Sequence, residues 1–253
     1  FIQHINSNGE ILLDPNGIAL AQQPGTQISI NMATDSLGGV FVTWQDKRGG
    51  VDDDIYGTHV SFDHNIVAAG SGVPIVEIIG TQAAKSIEYA GNNEAFICWS
   101  DSRLGENIDI YGQRIDMSMN MLFAENGIPV ANTDGLETRP RTTFVNNKTS
   151  LVTWKEGDEN ARILYQHVDE NGLVFSQSKS VSSNDAIQTS PRVKRNNSGD
   201  VFIQWKDLRF DPVDGDMFMQ KINSFGDALW ADGVQIDPSD GVNFSGRFAS
   251  NNL

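Results

Sequence analysis

The sequence predicts an all-β propeller of four-stranded antiparallel blades, and three observations predict it. A segment of alternating apolar residues ending in tryptophan occurs four times, as VFVTWQDKR (40–48), AFICWSDSR (95–103), SLVTWKEGD (150–158) and VFIQWKDLR (201–209). Its tryptophans, Trp44, Trp99, Trp154 and Trp205, follow one another at intervals of 55, 55 and 51 residues. Asp outnumbers Glu, 23 to 10, beside 24 glycines. That composition favours turns over helices, because short polar side chains compete for helical backbone hydrogen bonds.

Each blade reads in the same order. A first strand such as QISINMATD (27–35) precedes the tryptophan strand. A third strand follows: DIYGTHV (54–60), DIYGQRI (109–115), RILYQHV (162–168) or DMFMQKI (216–222). A turn and a Gly–aliphatic segment then close the unit, as in DMSMNMLFAENGIPV (116–130) and NSFGDALWADGVQI (223–236). The segments alternate with period two and are separated by Gly, Asn, Asp and Ser. One such sheet cannot bury both faces, whereas a ring of them can. Four strands per repeat of about 50 residues is the propeller pattern, and a two-sheet sandwich would not require the repeat.

The chain opens with FIQHI (1–5) and NSNGEILLDPNGIAL (6–20), which read as strands three and four of a blade. It ends with GVNFSGRFASNNL, which reads as a first strand. The expectation is a single domain over 1–253 with five blades. Residues 25–76, 80–131, 136–182 and 188–237 form blades one to four, and 1–20 with 241–253 share the closing blade. A fifth tryptophan strand would fall beyond residue 253, so a longer native chain is expected.

Aligning the repeats assigns roles. The tryptophans read as packing between blades. Arg48, Arg103 and Arg209 precede Asp54, Asp109 and Asp216 by six or seven positions, and in the third blade Asp158 and Arg162 exchange the signs. The expectation is an ion pair across the hairpin of strands two and three, with Arg103 in salt-bridge reach of Asp109. His4, His59 and His167 share a slot with Arg114 and Lys221, which reads as a surface or loop-packing position. Copies in different blades cannot converge on one metal. His64 stands alone in a turn. Cys98, next to Trp99, reads as a structural thiol.

The hairpin loops after the tryptophan strands are acidic. Asp211, Asp214 and Asp216 around Gly215 are the candidate calcium ligands, although the full EF-hand spacing is absent. Asp52, Asp53 and Asp54 form the second such cluster. No other cofactor is expected. Glu77, Glu88 and Glu137 fall outside the repeated slots and show no partner in the sequence.

The net charge of −15 argues against nucleic acid as a partner. No apolar run approaches the roughly 18 residues of a membrane helix, so no membrane insertion is expected. A single cysteine excludes an internal disulfide framework. No P-loop, dinucleotide or G-x-S-x-G signature is present.

The string WSDSR…DIYGQRID…NGIPV resembles the repeat of secreted bacterial β-propellers of the Bacteroidetes type, W-x-D-x-R…D-I-Y-x-Q-R-I. The resemblance covers nearly the whole chain in five partial or full copies. Blade three departs from it at Glu156, Asp158 and Arg162. It implies a secreted or cell-surface location beside adhesion modules, and it carries no catalytic residues over. At fold level, five-bladed rings also resemble tachylectin-type lectins and several glycoside hydrolases. The expected function is a non-catalytic extracellular module that binds a glycan or protein surface. The alternative is a structural subunit of a surface adhesin or filament, part of a larger polypeptide or assembly. A glycoside hydrolase ranks lower, because catalysis needs unlike carboxyls and most acids here fall in repeated slots. The sequence is therefore read as that of a protein that is not an enzyme.

Overall fold

A computed structural model of the chain describes residues 1–50, 52–146 and 148–237. They form an all-β propeller with no helix among the described residues. The first blade contains β1 (Gln27–Thr34), β2 (Val40–Asp46), β3 (Asp54–Val60) and β4 (Val73–Val76). The second contains β5 (Gln82–Tyr89), β6 (Ala95–Asp101), β7 (Asp109–Ile115) and β8 (Ile128–Ala131). The third contains β9 (Glu137–Asn146), β10 (Thr149–Glu156) and β11 (Arg162–Asp169), with its outer strand split into β12 (Gly172–Leu173) and β13 (Lys179–Ser180). The fourth contains β14 (Gln188–Arg195), β15 (Val201–Asp207), β16 (Asp216–Ile222) and β17 (Val234–Gln235). Every blade is an antiparallel meander in sequence order.

Residues 1–20 repeat the outer half of this unit. The bridge Ile5–Ile11 matches Val60–Ile66, Ile115–Met121 and Ile222–Ala228. The bridge Ile2–Ile18 takes the place of the Gly57–Val73 and Gly112–Ile128 pairs. The segment expected to supply the matching first strand, 241–253, lies outside the described residues.

The first strands of neighbouring blades pack on one another, β1 on β5, β5 on β9 and β9 on β14. They therefore line the ring axis. All four carry a bulge at the same place, between Ile28 and Asn31, Ala83 and Ser86, Thr138 and Arg141, and Thr189 and Arg192. A bulge inserts an unpaired residue and re-aims the side chain after it.

The tryptophans are 0–3% exposed. In blades one, two and four the ring lies against the glycine just before the fourth strand. A Cβ at Gly72, Gly127 or Gly233 would stand 2.4, 2.6 or 2.4 Å from the nearest indole carbon. These glycines also hold φ between +68° and +81°, which other residues adopt rarely. The recurring Gly–aliphatic signature is thus the seat of the tryptophan.

Candidate functional site

The W-x-D-x-R motif closes on itself. In blade two, Asp101 accepts hydrogen bonds from Trp99 Nε1 (2.7 Å), the Arg103 backbone N (2.9 Å), Arg103 Nε (3.0 Å) and Arg103 Nη2 (2.6 Å). Arg103 Nη2 also donates to the carbonyl of Asn126, and the guanidinium lies 3.8 Å from the Tyr111 ring centroid. Asp46 with Arg48 and Asp207 with Arg209 repeat the arrangement. The expected pairs of Arg48 with Asp54, Arg103 with Asp109 and Arg209 with Asp216 are therefore corrected. The arginine is held by the acid two residues before it, because the chain turns there and presents both side chains on one side. Asp54 and Asp109 instead stand opposite Asp46 and Asp101 in the ladder. In blade three, Asp158 pairs with Lys155 and Arg162 with Asp185, not with each other. Glu156 replaces the aspartate there, and Trp154 Nε1 is left buried without a partner.

The basic slot is interior in blades one to three and partly exposed at His4 and Lys221. His59, Arg114 and His167 are 4%, 1% and 2% exposed. His59 meets Asp35 at 2.9 Å, Arg114 meets Glu94 at 2.7 Å and Lys221 meets Asp200 at 3.0 Å. His167 has no such acid, and burial pushes its pKa down to about 4. His64 is not alone, since its Nε2 lies 2.9 Å from His4 Nδ1. Cys98 is fully buried, and burial pushes its thiol up to about 12.

The proposed calcium loop is occupied by its own turn. The Asp211 carboxylate accepts from the backbone N–H groups of Val213 and Asp214. Asp216 is buried at the start of β16. No group of three or more His, Cys, Asp or Glu side chains fit to hold a metal ion is gathered among the described residues.

The carboxyls that do converge lie between blades one and two. Asp52 from the β2–β3 loop, Asp54 from the start of β3 and Glu77 from the connection into blade two line an open pocket of about 280 Å³. The connection fixes two of them, with Gly80 N donating to Asp52 (3.1 Å) and Ile78 N to Asp54 (3.3 Å). Tyr56 Oη donates to Glu77 at 2.8 Å. Burial first, and then the charges of Glu77, Asp52 and Asp46, push the Asp54 carboxyl up to about 6, against the opposing bond from Ile78 N. The sequence marked Asp54 but missed Glu77 as its neighbour, since nothing local shows that the connection folds back over β3.

The matching place in blade two is closed. There Asp109 and Glu137 are electrostatic neighbours, and the two are 2% and 0% exposed. Burial raises both pKa values; the charge of Asp101 adds to the rise at Asp109, and the charges of Asp109 and Glu156 add to the rise at Glu137.

No protein-family model matches the chain, and no curated protein matches it. Solved structures do. An endo-arabinase from Bacteroides thetaiotaomicron aligns with a TM-score of 0.52 at 10% identity, over 88% of this chain and 84% of that one. An α-L-arabinofuranosidase from Lactobacillus brevis aligns with a TM-score of 0.51 at 10% identity, over 87% and 82%. The subtype N10 neuraminidase-like protein of A/little yellow-shouldered bat/Guatemala/060/2010 aligns with a TM-score of 0.51 at 10% identity, over 84% of this chain. The chain spans 61% of that protein, less than two thirds of its length. At these identities the likeness shows the fold, a β-propeller. It also corrects two expectations. The reading as a non-catalytic module, and with it the reading as a protein that is not an enzyme, gives way, because the propellers sharing this fold include an arabinase and an arabinofuranosidase.

Proposed function

We propose that the chain is a glycan-acting enzyme, a glycoside hydrolase on a five-bladed ring. The observation that carries the reading is the open pocket of Asp52, Asp54 and Glu77. Glycoside hydrolysis uses one carboxyl that keeps its proton and one that is ionised. Environments that push such pKa values apart assign the two roles. Asp54, near 6, is the proton donor to the leaving glycosidic oxygen. Glu77, oriented by Tyr56, is the carboxylate that attacks the anomeric carbon or activates a water, with Asp52 holding the negative field that keeps Asp54 protonated. Glu77 also breaks the repeat, because the corresponding position in blade two is Asn132. Two of the similar structures are named for action on arabinose-containing glycans, so arabinan is the first substrate to test. No helix of the described residues is long and apolar enough to cross a membrane. A polymeric substrate and the bacterial repeat favour work outside the cell or at its surface.

The test is release of reducing ends from arabinan, xylan and a wider polysaccharide panel. The expected result is cleavage of one glycan class, reduced at least 100-fold in kcat by Asp54→Asn and by Glu77→Gln in folded protein. Activity should fall as the pH rises through about 6, where Asp54 loses its proton. Absence of cleavage across the panel, or full activity of both variants, would remove the reading.

A further inference from the structure

The innermost strands invert the charge of the rest of the chain. The whole sequence has 18 basic and 33 acidic residues. The four axis-lining strands instead hold Lys85, Arg139, Arg141, Arg192, Lys194 and Arg195 against two acids, Glu88 and Glu137. At the axis, β5, β9 and β14 enclose a cavity of about 260 Å³. Its walls include Ser86 and Glu88 from one blade, Arg141 and Thr142 from the next, and Arg192 and Lys194 from the third. Arg141 and Arg192 stand just after the bulges, in the slot that holds Asn31 and Ser86 in the other two blades. The repeated bulge thus aims arginines from two neighbouring blades, and small polar side chains from the other two.

The cations are undercompensated. Lys194 reaches Glu88 at 3.7 Å. Among the described residues, Arg141 donates only to the carbonyl of Pro140 (2.8 Å). Among the described residues, neither Arg139 nor Arg192 has an ion pair with an acid. Burial, and then the neighbouring Arg192 and Arg139, disfavour the charge on Arg141, against a smaller opposing effect of Cys98 than that of burial. The hydroxyl of Thr142, 4% exposed and lining the same cavity, has no hydrogen-bond partner. Guanidinium groups held together at electrostatic cost are a receptor for an oxyanion. The space greatly exceeds a small ion, given that a water occupies roughly 30 Å³, and the walls offer hydroxyls as well as charge.

We infer that this axial cavity binds an acidic sugar, seating its carboxylate or sulfate between Arg141, Arg192 and Lys194. The site shares no residue with the pocket of Asp54 and does not depend on it.

Calorimetric titration at low and moderate salt tests the inference with three probes of equal length: a tetragalacturonate, a sulfated galactotetraose and neutral arabinotetraose. The carboxylated or the sulfated probe should bind saturably and lose affinity as salt rises, and the neutral probe should not compete for the cavity. Which acidic probe binds identifies the anion. Arg192→Gln should weaken that binding at least 10-fold, and Lys194→Gln should weaken it less. Asp54→Asn should leave it unchanged. Arg192 is partly exposed, and its variant serves even if one at the more crowded Arg141 does not fold. Failure of both acidic probes to bind, or equal binding by the Arg192→Gln protein, would overturn the inference. Binding of acidic sugar without cleavage of any glycan would sink the hydrolase reading and leave this one standing. The reverse result would do the opposite.

Discussion

Removing the Asp101 carboxylate should be among the costlier single changes in the ring. Its side chain has 0% exposure and accepts five hydrogen bonds, one from Trp99 and three from Arg103 at 2.6–3.0 Å and one from Gln82 at 3.5 Å. Arg103 is itself only 12% exposed. Asp101→Ala leaves a buried guanidinium charge and a buried indole N–H without their partner. Breaking one side of a buried ion pair costs about 3–5 kcal/mol. Blade three shows which part dominates. It has Asp158 in the arginine slot and an orphaned Trp154 Nε1, and the blade still forms. The unpaired indole is therefore the smaller cost, about 1–2 kcal/mol, and the stranded charge is the larger. The double variant Asp101→Ala, Arg103→Ala should then be more stable than Asp101→Ala alone by about 1–3 kcal/mol. Urea unfolding of the four proteins of this cycle measures both quantities. A cost below about 1 kcal/mol for the single change would refute the reasoning, and so would a double variant no better than the single.

Two further outcomes follow from the same geometry. Glu156→Asp shortens the acid of blade three to the length found beside the other tryptophans, and should add about 1–2 kcal/mol by giving Trp154 Nε1 an acceptor; an unchanged urea midpoint would count against it. Asp54 should make stability depend on pH. Its carboxyl titrates near 3.8 in the unfolded chain and at about 6 in the fold, so the native state binds more protons between those values and loses stability as pH rises through them. Above pH 6 the cost is about 3 kcal/mol at 1.36 kcal/mol per pH unit. Asp54→Asn, which can still accept from Ile78 N, should therefore stabilise the protein by about 2–3 kcal/mol at pH 7 and by almost nothing below pH 3.5. A gain independent of pH would contradict the assignment.

The blades were legible in the sequence because their determinants are local. Alternation in VFVTWQD and DIYGTHV specifies half-buried strands, and the Gly–aliphatic pair marks where the tryptophan ring needs a residue without a side chain. The partner of each arginine was not legible. Blade three changes the aspartate, the arginine and the hairpin acid together, to Glu156, Asp158 and Arg162, so the repeat alone could not show which acid belonged to Arg48. The turn geometry decides it, since Asp46 and Arg48 flank the point where β2 ends. His4 and His64, 60 positions apart, meet only because the N-terminal hairpin packs beside blade one. Glu77 could be seen to fall outside the repeated slots, but its approach to Asp54 depends on backbone bonds from Ile78 and Gly80 that no pattern announces.

A ring of copied blades separates framework from chemistry by a simple rule. A side chain needed to build each blade recurs in each, as the tryptophan does. A side chain needed at one place on the ring appears once. The ladder position opposite the W-x-D acid shows both cases. Asp46, Asp101 and Asp207 face Gln27, Gln82 and Gln188, whose amides can donate to a carboxylate. In blade three, Glu156 faces Glu137 instead, and Glu137 also touches Asp109 of the blade before. Three acids thus meet where the other interfaces place an amide between charges. Burial raises the pKa values of Asp109 and Glu137, so the native interface holds protons that the unfolded chain has already lost, and the blade two to blade three interface should be the part of the ring that loosens first as pH rises. Hydrogen exchange of β9 amides, compared with those of β5 as the pH is raised, measures it. Equal protection of the two strands throughout would show that the buried acids do not weaken this interface.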